Sequence, residues 1–334
     1  IYLISVSGFV FAGGTVTRIM DFEESVVSFK TFLEQIKPEH VSTFLHWVRE
    51  TADDYLQNTA ETDKDNADTI LNSIQEDLRN SLPMNAISPT ETIYVPTSGP
   101  NADCDPQKAV HIDAFLYEDE IIDELCKKGQ MSRNYCTECG SCNTKPLTFL
   151  SHSASTNQIK YIFTYLLSDL TGKTVLDVGS RTGAVLYGAY VYSRASSIVG
   201  VEMDSSFCQL QNIIVQKYKM EDRVKVIQSD IQQQAELLQS CNVMILNNVF
   251  EFFMPVEEQL KIWKFLRQTL CKRDTLIVTV PSLENLLSSI QSDIDVHHWV
   301  REVDIQDKLR MGNIALYKTS EESDLEAIHL YQVL

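Results

Sequence analysis

The stretch TVLDVGSRTGAV, residues 174–185, decides how this chain is read. An apolar run ends in an acid, Asp177. Gly179 and Gly183 then supply two turn residues, with Arg181 standing between them. A run of this kind followed by a glycine loop and an apolar helical pattern reads as a buried strand turning into a helix. Such a loop places backbone N–H groups beside a bound ligand.

The flanking pattern extends that reading. TNQIKYIFTYLLSDL reads as an amphipathic helix ahead of TVLDV, and AVLYGAYVYSR as a helix after it. SIVGVE, VKVIQ, VMILN and TLIVTV read as strands, separated by the helical runs SSFCQLQNIIVQKYKM and VEEQLKIWKFLRQTL. Alternation of this kind predicts β-α-β units and a mostly parallel sheet with helices on both faces, an α/β Rossmann-like doubly wound fold. Ligands in such sheets sit beyond the carboxyl ends of the strands. Asp177 with Gly179, Glu202, Asp230, and Asn247 with Asn248 all fall at those ends. Glu202 lies about 20 residues past the glycine loop, the place of an acid that accepts ribose hydroxyls.

This order of elements over about 155–334 resembles the class I S-adenosylmethionine-dependent methyltransferases. The resemblance implies that Asp177, Gly179, Ser180 and Gly183 surround the methionine part of the cofactor. It implies that Glu202 holds the ribose with Met203 beside it, and that Asp230 and Ile231 lie near the adenine. Asn247 would stand at both the cofactor and the acceptor. It also implies an antiparallel hairpin at the sheet edge, for which NIALYKTS and AIHLYQVL are the expected strands. The doublet Asn247–Asn248 followed by Phe250, Phe252 and Phe253 is similar to a short stretch of the histone-lysine methyltransferases of the disruptor-of-telomeric-silencing type. On that footing Asn247 and Asn248 are the expected catalytic pair, aligning an acceptor nitrogen for in-line transfer. His297 and His298 are weaker candidates for a base. Arg181 departs from the small residue expected in the loop. An outward, solvated side chain is its plain reading, and an ion pair to the cofactor carboxylate or to an acidic substrate its sharper one.

Composition bounds the function. The chain has 334 residues, 44% of them hydrophobic, and a formal net charge of −18. That charge disfavours a broad grip on nucleic acid and suits a protein or small-molecule methyl acceptor. No long uncharged apolar run suggests a membrane span. The eight cysteines are scattered, which reads as reduced thiols of a cytoplasmic or nuclear protein.

Ahead of the main domain the expected organisation runs as follows: 1–19 as a leader or fragment edge before Met20, 20–82 as an acidic helical module open to a protein partner, 83–103 as a linker, and 104–154 as a cysteine-rich connector. The aromatic stripe Phe29, Phe32, Phe44 and Trp47 reads as core of the helical module. In the connector, Cys136 and Cys139 have the two-residue spacing of zinc ligands, with Cys142 and Cys126 as companions and Cys104, His111 and His152 as further candidates. A structural zinc site and a turn of reduced, unliganded thiols both remain open. A protein that keeps the fold for binding alone is the alternative to catalysis.

Overall fold

The structure is a computed structural model, and it describes residues 22–94, 108–137, 144–318 and 323–334. It divides into two units, Ile1–Asn66 and Ala67–Leu334.

In the first unit, α1 (Phe22–Glu34) precedes the long helix α2 (Pro38–Ser81). Phe32, Phe44 and Trp47 form a chain of ring contacts at 5.5 and 5.7 Å between centroids. Trp47 nevertheless leaves nearly half its surface exposed. No described helix is long and apolar enough to cross a membrane.

The second unit begins inside α2 and goes on through α3 (Asp119–Lys127), whereas the sequence pattern placed the break after residue 82. The reason is burial. Ala67, Leu71, Ile74 and Leu78 step along one face of α2 and are buried, the last three in the same cluster as the central sheet. An apolar stripe at helical spacing shows that a helix has a core, not which core it joins.

The central sheet has seven strands: β1 (Thr174–Val178), β2 (Ser197–Glu202), β3 (Val224–Gln228), β4 (Val243–Asn247), β5 (Leu276–Val280), β6 (Val300–Glu302) and β7 (His329–Val333). Their order is β6-β7-β5-β4-β1-β2-β3. The first five are parallel, and β7 is antiparallel to both β5 and β6. The order reverses at β1, between β2 and β4, which is the switch point where doubly wound sheets bind ligands.

Each strand of the parallel part feeds two cores by alternation. Val175, Ile198, Val243, Ile245 and Val278 face a cluster with α4 (Thr156–Tyr161), α5 (Ala184–Tyr192) and the end of α2. Leu176, Val199, Met244, Leu246 and Ile277 face the other, with Ile262, Trp263 and Leu266 of a helix at Val256–Thr269. Ser155 and Gln158 form a capping box that starts α4. Gly188 lets α4 and α5 meet, since a Cβ there would stand 1.9 Å from Ile159 Cγ2.

The edge hairpin forms, with a different first strand from the one expected. Residues 313–317 of NIALYKTS lie in a helix, Gln306–Tyr317, and β7 pairs with β6 instead. Leu309, Gly312 and Asn313 are buried at helical spacing, and Gly312 packs on the Tyr161 ring. That helical face outweighs the β-like composition of the run.

Candidate active site

Beyond the carboxyl ends of β1 to β4 lies a cavity of about 500 Å³. Its walls explain themselves strand by strand. After β1 the chain turns sharply, with the Gly179 and Ser180 amides both donating to the Val201 carbonyl, at 2.8 and 3.3 Å. Gly179 has φ +70°, and a Cβ there would stand 2.3 Å from Val249 Cγ2, so only glycine fits between the loop and the opposite wall. Gly183 has φ +86° and caps α5, where the Tyr187 ring fills the place of a side chain. It does not line the cavity, and neither does Asp177.

Glu202, at the end of β2, does line it. Its carboxylate accepts from the Arg181 amide at 2.9 Å and the Asp204 amide at 2.8 Å. Burial raises its pKa, against the pull of those amides. Asp177, buried one residue before the end of β1, is pushed well above the ordinary carboxylate range by burial, with a smaller push from Glu202. Met203, Asp230, Ile231, Asn247 and Asn248 line the cavity. Asp230 accepts from the Gln232 amide at 2.8 Å and so caps a short 3-10 turn. Asn248 takes the left-handed region, φ +49°, and its amide donates to Val280 at 2.8 Å. Asparagine tolerates that conformation better than most side chains. Ser180 is buried behind the wall, where its hydroxyl donates to Gln211 at 2.8 Å.

Arg181 is neither solvated nor aimed outward, contrary to the plain reading of the loop. It is 7% exposed. Its guanidinium forms a fork onto Glu91, Nε to Oε1 at 3.0 Å and Nη2 to Oε2 at 2.9 Å, and Nη2 also reaches the Ala86 carbonyl at 2.9 Å. Asp113 lies on the other side, 3.6 Å from Nη1, and the rings of Phe207 and Phe253 flank the group. Burial raises the Asp113 pKa even though Ser153 and Arg181 pull it down. Gln211 fixes the Arg181 backbone by donating to its carbonyl at 2.7 Å.

The partner of Arg181 comes from the run expected to be a linker. Thr90, Glu91, Thr92 and Tyr94 line the cavity. Ser88 and Thr90 donate to Asp204, the cap of the helix Ser205–Lys217, and the Tyr94 amide donates to Phe252 at 2.7 Å. His152 also lines the cavity. Its Nε2 shares a hydrogen bond of 2.8 Å with His111 Nδ1, and its ring stands edge-on to Phe252 and Phe253. Burial first, then Arg181 and His111, lower its pKa to about 3, so the imidazole is neutral near pH 7. A lone acid in a polar run and a histidine beside cysteines carry no local mark of this role.

The two histidines are therefore engaged with each other. Cys126 lies in the helix Asp119–Lys127, and Cys136 in a short strand paired with Thr144–Pro146. Cys104, Cys139 and Cys142 lie outside the described residues. Among the described residues no three His, Cys, Asp or Glu side chains converge on a metal position. His298 is surface-exposed and paired with Asp295 at 2.6 Å, and neither it nor His297 lines the cavity.

The site and strand order define a class I nucleotide-cofactor fold, and the comparisons give the family. Residues 169–323 match the family model of a methyltransferase domain. Over that segment the chain belongs to the class I S-adenosylmethionine-dependent methyltransferases. The protein is an enzyme of that kind, with S-adenosylmethionine as methyl donor. No curated protein matches the chain. Solved structures it is similar to include a methyltransferase, yhhF, from Escherichia coli, at 18% identity over 54% of this chain and 88% of that one, TM-score 0.37. An RNA methyltransferase from Salinibacter ruber in complex with S-adenosyl-L-homocysteine aligns at 16% identity over 54% and 91%, TM-score 0.34. Precorrin-6y C5,15-methyltransferase from Geobacter metallireducens aligns at 11% over 53% and 86%, TM-score 0.35.

The residues present fit the cofactor. A partly buried carboxylate at the end of β2, Glu202, lines the cavity, and apolar Met203 and Ile231 line it too.

Proposed function

We propose that the protein methylates a nitrogen of a protein side chain. The supporting observation is that Asn247 and Asn248 stand in the cavity wall at the end of β4, beside Phe250, Phe253 and Met254. Carboxamides there accept hydrogen bonds from an amine and orient its lone pair, while the apolar side chains exclude water.

On this reading Glu202 accepts the ribose hydroxyls. Asp230 with Ile231 and Met203 borders the adenine, and the Gly179–Ser180 turn borders the methionine end. Bound there, the cofactor supplies an electrophilic methyl on its sulfonium. The chain's own contribution is alignment: it holds donor and acceptor in line and keeps the acceptor nitrogen neutral and dry.

The test is incubation of the protein with labelled S-adenosylmethionine and cell extract, alongside Asn248→Ala. Label in protein bands, reduced about tenfold or more in the variant, supports the reading. Label confined to low-mass products or to RNA overturns it.

A further inference from the structure

We propose that Arg181 is a positioning residue that couples closure of the segment 86–94 to occupation of the cofactor cavity. The proposal rests on the cofactor-site reading above.

The geometry is that of a tether with two ends. At one end the Arg181 amide donates to Glu202, the acid expected to hold the ribose. At the other, its guanidinium grips Glu91 and the Ala86 carbonyl in the segment that forms one wall of the cavity. Two further attachments of that segment also land on the site. Ser88 and Thr90 hold Asp204, whose own amide donates to Glu202, and the Tyr94 amide holds the Phe252 carbonyl in the aromatic loop after β4. Each of these hydrogen bonds thus ends on a group in or next to the cavity.

Three facts argue that this arrangement is for positioning rather than for stability alone. Arg181 has φ +46°, a region unfavourable to a bulky side chain, so the loop tolerates strain to keep an arginine there. A buried ion pair is a weak source of net stability, because desolvation offsets its attraction. The pair can also open without stranding a charge. Asp113, fully buried, stands 3.6 Å from Nη1, so a carboxyl group stays beside Arg181 in any arrangement that releases Glu91.

A ligand in the cavity touches Thr90, Glu91, Thr92 and Tyr94 only while the segment is closed. It therefore favours the closed arrangement by whatever it gains from those contacts. Closure in turn finishes the wall that faces the acceptor.

The experiment is hydrogen exchange of the full chain with and without S-adenosylhomocysteine. It is run on the natural protein, Arg181→Gly, Glu91→Gln and Arg181→Lys. Glycine suits the left-handed backbone and keeps the amide to Glu202, so it removes the side chain alone. Glu91→Gln keeps the shape of the partner and serves where the glycine variant is too unstable. In the natural protein the ligand is expected to slow exchange about tenfold or more over 86–94, 201–204 and 230–231. In Arg181→Gly and Glu91→Gln, protection at 201–204 and 230–231 persists while the ligand-dependent protection at 86–94 is lost. Lysine, lacking the two-pronged fork, restores it only in part. A purely structural role would speed exchange at 86–94 equally with and without ligand, and that result overturns the proposal. Undiminished ligand protection of 86–94 in both variants overturns it as well. Absence of protection at all three segments in the natural protein overturns the cofactor reading, and the coupling with it.

Discussion

Arg181 and Glu91, ninety residues apart in the chain, meet in a two-pronged ion pair at 2.9 and 3.0 Å, with side chains only 8% and 11% exposed. Arg181 also faces Asp113, whereas Glu91 depends on Arg181 for this ion pair. The two truncations should therefore be unequal. Arg181→Ala leaves two buried carboxyl groups without their cation and should cost about 3–5 kcal/mol. Glu91→Ala leaves Arg181 with Asp113 and should cost about 1–3 kcal/mol. Urea unfolding of the two variants measures the difference, and equal losses would show that Asp113 contributes nothing to holding Arg181.

Gly179→Ala should weaken cofactor binding and the fold together. The added Cβ meets Val249 at 2.3 Å in a backbone conformation already unfavourable to alanine. Forced repacking and strain of this kind cost about 1–3 kcal/mol. Thermal unfolding and calorimetric titration with S-adenosylhomocysteine check both effects. Gly129→Ala is the control, since its φ is also positive and nothing stands within 4 Å.

Cofactor affinity should fall on acidification earlier than an ordinary glutamate would dictate. Glu202 has a raised pKa because it is buried, so its carboxylate takes a proton at higher pH than a solvated one. If the charged form binds the ribose, binding is full above that raised pKa and declines as pH drops through it. Titration of S-adenosylhomocysteine across pH should show this decline, and Glu202→Gln should bind more weakly with the pH dependence flattened.

His152 should make the fold acid-sensitive well above the range of its own folded-state titration. Its pKa falls from 6.5 to about 3, chiefly through burial. Between those values the unfolded chain binds the proton and the folded one does not. Stability is therefore full above about pH 6.5 and falls as pH drops towards 3, by up to about 1.4 kcal/mol per pH unit from this group. Denaturant midpoints of His152→Phe against pH should have a smaller slope in that window. An unchanged slope would mean that the site admits the charged ring.

Ile74→Ala should cost about 2–5 kcal/mol, because Ile74 is fully buried against the sheet-side core although it lies in the long N-terminal helix. Val27→Ala, at a position 63% exposed, should stay within about 0.5 kcal/mol. Chemical unfolding monitored by intrinsic fluorescence separates the two.

The parallel sheet was legible in the sequence because its inner strands are buried on both faces, so TVLDV, SIVGVE and VMILN stand out as short apolar runs between helical patterns. Their carboxyl-end polar residues followed from topology alone, and Glu202, Asp230, Asn247 and Asn248 do meet at one cavity. The edge hairpin was only half legible. A short strand such as Val300–Glu302 has too few residues to display a period, while residues 313–317 carry β-like side chains on what packs as a helix. What the sequence determined by itself was everything set by local periodicity and by the rule that ties ligands to strand ends. Only the tertiary structure decided that Arg181 turns inward to Glu91, that His152 joins His111 in the cavity wall, and that the end of α2 belongs to the sheet's core. The two polar contacts join residues 41 and 90 apart in the chain, and the shared core joins Leu71 of α2 to Val278 of β5. A charged or aromatic side chain has no periodic signature that names its partner, and burial in a shared interior is a property of the folded chain alone.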